Sequence, residues 1–446
     1  MADLPDAAAT LAGTPAGPGR PPDEADLIAA ISRLGVASSV ELQQALRRSQ
    51  PTVSRLLAAA AGRVTALGRG RSVRYSLSQP ILGAAGRQPL HWVGEDGGAR
   101  RWGTLTLVAG QRLHVEGGDG GRWSTQGALP WLLAPLRFEG FLGRLLARRL
   151  APFGFGSDPA QWSLEQQLFA ALQTPDAPGA LVLGDAAAPP EPAMGDDDYD
   201  RLADEVAAGG RIGSSAGGEQ PKFTARHRVH GAVLVKYTPP RGTPFGEQWS
   251  DLLHAEALAL QLLGEHGVPV ARARMVLTPR RSHLESRRFD RVGSAGRAHV
   301  VPLWAAHDAF VPGPRRHWAA TCEVLAEQRR LPREAAAQAA ALLAFGRLIG
   351  NTDMHFGNLS LAVTPADVAK GRFSLAPVYD MLPMRWRPDP HAGDLGLLPF
   401  DPEPADRASA ARPLAEAFWD RVAVHRAIGR DFRALAVAMR GRVAKR

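Results

Sequence analysis

Asn351-Thr352-Asp353-Met354-His355-Phe356-Gly357-Asn358 contains both asparagines of the 446-residue chain. A chain that has shed asparagine everywhere else keeps two here, which marks the segment as chemically constrained. Lysine is nearly as scarce: Lys222, Lys236, Lys370 and Lys445 are four of 53 basic residues, and the rest are arginine. A planar guanidinium cannot stand in where a compact point charge is required, so each surviving lysine needs a reason. Two of the four fall close together, and the reading of the chain consists in joining that region to the asparagine segment.

The asparagine segment follows an Ala/Leu-rich stretch, Arg333 to Ile349, that reads as a helix ending at Gly350. From Asp353 to Asn358 the spacing is Asp-x-x-x-x-Asn, that of a kinase catalytic loop. An aspartate there can accept the proton of an attacking hydroxyl, and the asparagine oxygen can ligate Mg²⁺. Phe373 to Val378 reads as a short strand with Asp380 at its end, where a second metal-binding carboxylate belongs. Taken singly, Asn351 and Asp353 could be helix-terminating turn residues and Asp380 a strand-end cap. His355 could orient Asp353 or simply shape the backbone, and Asn351 has no derivable role beyond shaping the loop.

Upstream, Gly210 to Lys222 reads Gly-Arg-Ile-Gly-Ser-Ser-Ala-Gly-Gly-Glu-Gln-Pro-Lys. Its small residues allow backbone N–H groups to approach a phosphate, although no Gly-Lys-Ser/Thr closes it as in a Walker loop. Phe223–Arg226 and Ala232–Thr238 alternate as strands around a turn, and Lys236 lies inside the second. A strand lysine after a Gly-rich loop is the protein-kinase arrangement. Glu247 to Leu263 predicts a helix with Leu252, Leu253, Leu260 and Leu263 inward. Glu256 shares that stripe, where a carboxylate needs a partner, and Lys236 is the natural one. Pro279 to Val292 is expected to carry the chain across to a second lobe.

Residues 23–80 predict a winged helix-turn-helix. Leu27, Ile28, Ile31 and Leu34 give a first helix stopping at Gly35, and Ser39 is expected to cap a second bearing Leu42 and Leu46. Pro51 opens a third, lined by Val53, Leu56 and Leu57. Val64–Leu67 and Ser72–Leu77 read as two strands joined by Gly68-Arg69-Gly70-Arg71. Ser49, Gln50, Thr52, Ser54 and Arg55 are placed to meet base edges or phosphates, with Arg69, Arg71 and Arg74 on the wing. Eight arginines against four acidic residues give this module a charge of +4. A winged helix used for protein contact is the competing reading.

Hydrophobic content of 45% and charged content of 22% are those of a soluble globular chain, and its length predicts two or three domains. A net charge of +9 suggests an anionic partner. A single cysteine, Cys322, excludes an intramolecular disulfide, reads as a buried inert thiol and fits a reducing cytoplasm. Residues 1–22 read as a disordered tail without the basic start of a signal peptide. The longest apolar run, Ala335 to Ile349, is interrupted by Gln338 and Arg347, too short to span a membrane. Ala186 to Asp200 reads as a surface loop whose acidic run is a weak metal candidate.

The motifs together, Gly-x-Ser-Ser-Ala-Gly-Gly-Glu-Gln-Pro-Lys, Arg288-Phe289-Asp290-Arg291 and Gly-Asn-Thr-Asp-Met-His-Phe-Gly-Asn, resemble the HipA family of bacterial Ser/Thr kinase toxins. The fused N-terminal module and Phe356-Gly357 are most similar to its YjjJ-like subgroup. The resemblance implies an α+β, two-lobed protein-kinase-like fold behind a winged helix-turn-helix. The expected divisions are a HipA N-terminal-like subdomain over 88–185, an N-lobe with the Gly-rich loop over 200–312 and a helical C-lobe over 313–446. It implies ATP and Mg²⁺, with Asp353 as base and Asn358 and Asp380 as metal ligands. ATP contacts would come from Ser214, Ser215, Gly217, Gly218, Gln220, Lys222, Lys236, Glu256 and His355. Ser215 matches the loop serine that such kinases autophosphorylate, with Ser214 beside it. The implied partners are a protein substrate, an aminoacyl-tRNA synthetase in some members, together with DNA and an antitoxin. Many members carry a basic residue where this chain has Gly357, which leaves open a transcription regulator with a degenerate kinase-like sensor. A Mg²⁺-dependent nuclease built on Asp353, His355, Asn358 and Asp380 is the third reading.

Overall fold

The computed structural model describes residues 23–68, 70–118, 120–186, 192–208, 220–389 and 396–445. The expected tail at 1–22 and the Gly-rich loop through Gly218 lie outside them. Two compact units emerge. One runs as far as Gln88 and includes Thr104–Glu116 and Arg122–Ala128; the other holds Pro89–Gly103, Gly117–Gly121 and Leu129–Arg446.

In the first unit, helices α1 (Glu24–Leu34), α2 (Ser39–Leu46) and α3 (Gln50–Ala59) pack on strands β1 (Val36–Ser38), β2 (Val64–Leu67) and β3 (Arg74–Leu77), in sheet order β1-β3-β2. Leu27, Ile31, Leu42 and Val53 are fully buried between them, with Leu56 and Leu57 against the cluster. Three expectations shift. Ser38, not Ser39, caps α2, because only Ser38 has a glutamate three residues on to close a capping box: Glu41 N–H donates to Ser38 Oγ at 3.2 Å and Ser38 N–H to Glu41 Oε2 at 2.6 Å. Helix α3 begins at Gln50, so Pro51 is its second residue. Strand β3 begins at Arg74, since Gly70–Ser72 forms a 3₁₀ turn.

The chain continues through β4 (Arg87–Val93), β5 (Ala99–Val108), β6 (Arg112–Gly117) and β7 (Arg122–Gln126), then α4 (Gly140–Leu150), α5 (Leu164–Leu172) and β8 (Leu181–Leu183). Strands β6 and β7 form an antiparallel hairpin, and β8 pairs antiparallel with β4.

Within the second unit a five-stranded sheet has the order β12-β13-β11-β10-β9, from β9 (Ala193–Met194), β10 (Lys222–His227), β11 (Gly231–Tyr237), β12 (Ala273–Leu277) and β13 (Ser282–Arg287). Helix α6 (Tyr199–Ala208) precedes β10, and α7 (Pro244–Glu265) joins β11 to β12. Two of these elements correct the sequence reading. Ala186–Asp200 is not all loop, since it supplies β9 and the start of α6. Residues 282–287 are not a crossing segment but a central strand, paired with β11 along Val233–Tyr237. The alternation of β13 is obscured because its polar residues are buried against partners on α6: Tyr199 Oη donates to Glu285 at 2.5 Å, and His283 Nε2 meets Asp200 at 3.1 Å.

The remainder is mostly helical after the hairpin β14 (Arg291–Val292) and β15 (Gly296–Arg297). It comprises α8 (Leu303–Phe310), α9 (Trp318–Glu327), α10 (Arg333–Leu348), α11 (Pro404–Arg407), α12 (Arg412–Val424) and α13 (Arg430–Ala444), with a small sheet of β16 (His299–Pro302), β17 (Ser360–Val363) and β18 (Ser374–Leu375). The expected strand over 373–378 shrinks to β18, and Val378 makes only an isolated bridge to Val270. Sheet with long helix, then helical half, is an α+β kinase-like layout. Among the described residues no helix is long and apolar enough to cross a membrane. Cys322 is buried, and burial pushes its thiol up to about 12.

Helix α7 is braced by the turn between α12 and α13. Gly429 N–H donates to Asp251 Oδ1 at 2.7 Å. Burial, with Glu247 and Asp431 adding to it, raises the Asp251 carboxyl to about 6 against that hydrogen bond and Arg433. The unfolded carboxyl titrates near ~4. Between those values the folded chain binds the extra proton, so falling pH stabilises the fold and rising pH costs it. Asp251→Asn keeps an acceptor for Gly429 and removes the buried charge. At pH 8 it is expected to be more stable than the parent by about 1–3 kcal/mol, and to lose the parent's gain on acidification from 6 to 4. Paired denaturant titrations at the two pH values measure this.

Candidate functional site

Strand β11 carries Lys236 at the middle of the sheet, with Leu284 of β13 on one side and Lys222 of β10 directly opposite on the other. Directly opposed residues put their side chains on one face, so two of the four lysines share a surface. Lys222 therefore belongs to a strand rather than to the loop before it. Gln220 is buried and donates its amide to the Tyr237 carbonyl at 2.6 Å, which pins the end of the loop to β11.

Helix α7 starts where Thr243 Oγ1 accepts from Gly246 N–H at 3.0 Å, and it runs 22 residues. Its stripe of Leu252, Leu253, Leu260 and Leu263 is buried, and Glu256 lies among them, 1% exposed. Lys236 Nζ donates to both Glu256 oxygens at 2.7 Å and also reaches Asp380 Oδ1. Burial disfavours the ammonium charge, but Asp380 and then Glu256 outweigh it and hold Lys236 above the usual lysine range. Burial likewise opposes ionisation of Asp380, and Lys236 with Lys222 overcomes it, holding that carboxyl low. One ammonium thus serves two carboxylates. Glu256 is pushed up by burial against the pull of Lys236.

The asparagine segment leaves α10 at Gly350, whose φ of +78° and closeness to Trp386 (2.7 Å from where a Cβ would stand) both require glycine. Asn351 then does what sequence could not assign. Its Oδ1 accepts from Asp353 N–H at 3.0 Å, and its Nδ2 donates to the Asp380 carbonyl at 3.2 Å. A single buried amide fastens the Asp353 segment to the Asp380 segment. A second fastening comes from Tyr379, whose hydroxyl donates to the Gly357 carbonyl at 2.6 Å and lies 2.8 Å from Ser360 Oγ. Asp380 itself sits at φ +56°, a conformation non-glycine residues rarely adopt and one that clusters at functional sites.

Asn358 donates Nδ2 to the Asp353 carbonyl at 2.8 Å, which leaves its Oδ1 as the free acceptor. The Asp353 carboxylate is half-exposed and lies 3.9 Å from His355 Nε2. Burial raises it above the ordinary range; His355 pulls it back, Asp380 pushes it further, and burial decides. The His355 ring is aimed by Gly357, whose N–H donates to Nδ1 at 3.0 Å. A Cβ on residue 357 would fall 2.8 Å from His355 Cε1 and 2.9 Å from Nδ1. The glycine therefore seats the imidazole, and the space a larger residue would fill is occupied.

These residues bring together a proton-accepting carboxylate, two further oxygen donors and two ammonium groups. Carboxylate and amide oxygens are the hard donors that Mg²⁺ takes while retaining waters, and the Oδ1 of Asn358, which makes no hydrogen bond among the described residues, and the Asp380 carboxylate are groups of that kind. Ser214, Ser215, Gly217 and Gly218 lie outside the described residues.

Ser49, Gln50, Ser54 and Arg55 are exposed on α3 and Thr52 is half-buried. Arg74 is exposed and 3.8 Å from Glu41. Arg69 and the Arg71 side chain lie outside the described residues. Sequence reading missed a histidine cluster on the sheet: one ligand atom each from His227, His230 and Glu285 lies within 4.8 Å of the others. Arg274 occupies its centre, 3.2 Å from His230 and paired with Glu285 and Asp196, so a guanidinium already supplies the cation. Asp196 of the acidic run is spent there rather than on a metal.

A model of the HipA-like C-terminal domain matches residues 214–436, and one of the YjjJ-like toxin middle domain matches 84–190. Toxin YjjJ of Escherichia coli (strain K12) is 37% identical over 427 residues, covering 91% of this chain and 94% of that one. Among solved structures, the Shewanella oneidensis MR-1 HipA, HipB and operator DNA complex matches with a TM-score of 0.48 at 18% identity, over 80% of this chain and 88% of that one. The Helicobacter pylori proinflammatory kinase CtkA matches at 0.36 and 11%, over 52% and 91%.

Proposed function

Since this chain belongs to the HipA/YjjJ family of toxins, we propose that it is an ATP-dependent serine/threonine protein kinase whose N-terminal module binds DNA. The observation that carries the reading is Lys236 held between Glu256 and Asp380, beside an open Asp353. In this reading Lys236 steadies the nucleotide phosphates, and Glu256 fixes its ammonium from behind. Asp353 accepts the proton of a serine or threonine hydroxyl as that oxygen attacks the γ-phosphorus and the bond to the β,γ-bridging oxygen breaks, ADP leaving. Its raised pKa favours the transfer, which is general-base catalysis by a group tuned toward neutrality. Asn358 and Asp380 would hold Mg²⁺, which when bound neutralises phosphate charge. Asn351, Tyr379 and Gly357 act on positions, setting Asp353, Asp380 and His355 relative to one another.

Gly357 is thus compatible with activity. Gly357→Ala would displace the His355 ring and is expected to lower the transfer rate by up to about 10²-fold, with folding stability little changed. Initial rates of the two chains test it. DNA binding is supported by the exposed start of α3, where no side chain caps the helix, and by the exposed Arg74 of β3. Affinity for duplex DNA that falls steeply with salt is its signature. The HipB and operator of the Shewanella complex suggest an antitoxin and a promoter as partners for this chain too.

The deciding experiment incubates the full chain with labelled ATP and Mg²⁺ and maps the product. Label on Ser215 or Ser214 supports the kinase; a chain that labels neither itself nor any protein is the regulator instead. Nicking of plasmid DNA without nucleotide would point to a nuclease.

A further inference from the structure

Behind α7, on the side away from Lys236, lies a cavity of about 480 Å³. His254, Ala257, Leu258 and Gln261 line it at i, i+3, i+4 and i+7, which is one face of the helix. Glu256, two residues from His254, points to the other side. The opposite wall is Val270 to Met275, including β12, and His425 closes one end from the turn after α12. The size is that of a small-molecule pocket.

The polar groups facing the cavity are unusual. His254 is 5% exposed and makes no hydrogen bond among the described residues; its one ring neighbour is His425, with centroids 5.1 Å apart. His425 Nδ1 is enclosed and also without a partner. Buried polar atoms are nearly always hydrogen-bonded, so the unpartnered Nδ1 of His425, beside a buried His254 ring that makes no hydrogen bond among the described residues, calls for a ligand in the space that both line. Burial lowers both histidines, His254 to about 4, so each is neutral near pH 7 and has one N–H to give. No acidic side chain is found among the described lining residues, while Arg272 and Arg274 both are. Arg274 is committed to Asp196 and Glu285, which leaves Arg272, exposed at the rim, as the available charge. The rest of the lining is apolar: Leu258, Leu260, Val270 and Met275.

We propose that this cavity is a binding site for a small carboxylic acid with an apolar body, its carboxylate meeting His254, His425 and Arg272. The ligand would lie along the outer face of α7 and brace it against β12 and the α12–α13 turn. That helix carries Glu256, so occupancy steadies the Lys236–Glu256 pair from behind. The site stands independently of the phosphotransfer reading, because nothing in its recognition involves nucleotide.

Phenylacetate serves as the probe and 2-phenylacetamide as its uncharged counterpart, each titrated into the full chain without ATP, with histidine ring resonances as readout. The expectation is saturable shifts of the His254 and His425 signals with phenylacetate, at a Kd on the order of 1 mM, and at least tenfold weaker binding of the amide. Amide hydrogen exchange along α7 should slow several-fold with the acid bound. His254→Leu is expected to abolish the response. Should that variant not fold, Ala257→Phe fills the cavity while keeping both imidazoles in the chain and should abolish binding equally. Absence of saturable shifts in the parent chain, equal binding of the amide, or undiminished binding by either folded variant would overturn the proposal.

Discussion

An Asp353→Asn chain should transfer phosphate about 10²–10⁴-fold more slowly than the parent, the range expected when a general base is removed. The substitution is unusually clean. Asp353 holds the loop through its main chain, its N–H to Asn351 and its carbonyl to Asn358. Its carboxylate is half-exposed and lies 3.9 Å from His355 Nε2. Asparagine preserves the main-chain bonds, so stability should stay within about 0.5 kcal/mol of the parent, as for exposed substitutions generally. A rate loss at unchanged stability then reports the carboxylate alone. The raised carboxyl also sets a sign for pH: Asp353 acts ionised, so the acid limb of the parent's rate profile should lie above the ordinary carboxylate range. An asparagine variant that still labels protein at the parental rate would remove Asp353 from the mechanism.

Lys236→Met should abolish transfer and also cost about 3–5 kcal/mol of stability, the usual penalty for leaving one partner of a buried ion pair alone. The two losses have different origins and can be separated. Glu256 is sealed in the stripe of α7 leucines, and without Lys236 it must be neutralised or remain uncompensated. Lys236→Met with Glu256→Leu replaces the sealed part of the cluster by apolar groups and should recover the share of the loss due to Glu256, leaving only that due to Asp380, while remaining inactive. Chemical denaturation gives the first quantity and labelled ATP the second. A double variant as unstable as the single one would show that the pair is not the source of the loss, and an active Lys236→Met would dismiss the lysine's role.

The Lys236–Glu256 contact was legible because a carboxylate on a leucine stripe needs a counter-charge and the chain offers few lysines. Asp353 and Asn358 were legible from spacing, since both ends of their relation lie within one loop. Asn351 was not, because one of its partners is the carbonyl of Asp380, 29 residues on, and a main-chain acceptor leaves no trace in composition. The contact of Gly357 with His355 was illegible for a related reason: a main-chain N–H donating to an imidazole leaves no mark in the sequence. Strand β13 was hidden because periodicity assumes polar residues face solvent, whereas His283 and Glu285 are buried and meet Asp200 and Tyr199 of α6. In the N-terminal module the helices followed their apolar spacing, and the errors were at caps, where Ser38 and Ser39 differ only in what lies three residues downstream.

The scarcity of lysine gives the cleft a built-in chemical reporter. Lys370 and Lys445 are exposed, Lys222 is half-buried, and Lys236 is sealed between two carboxylates. An acylating reagent will therefore modify the two peripheral amines at once and Lys236 last. The lag before the fourth side-chain acylation, read by intact mass, is a clock for how often the two carboxylates release their lysine.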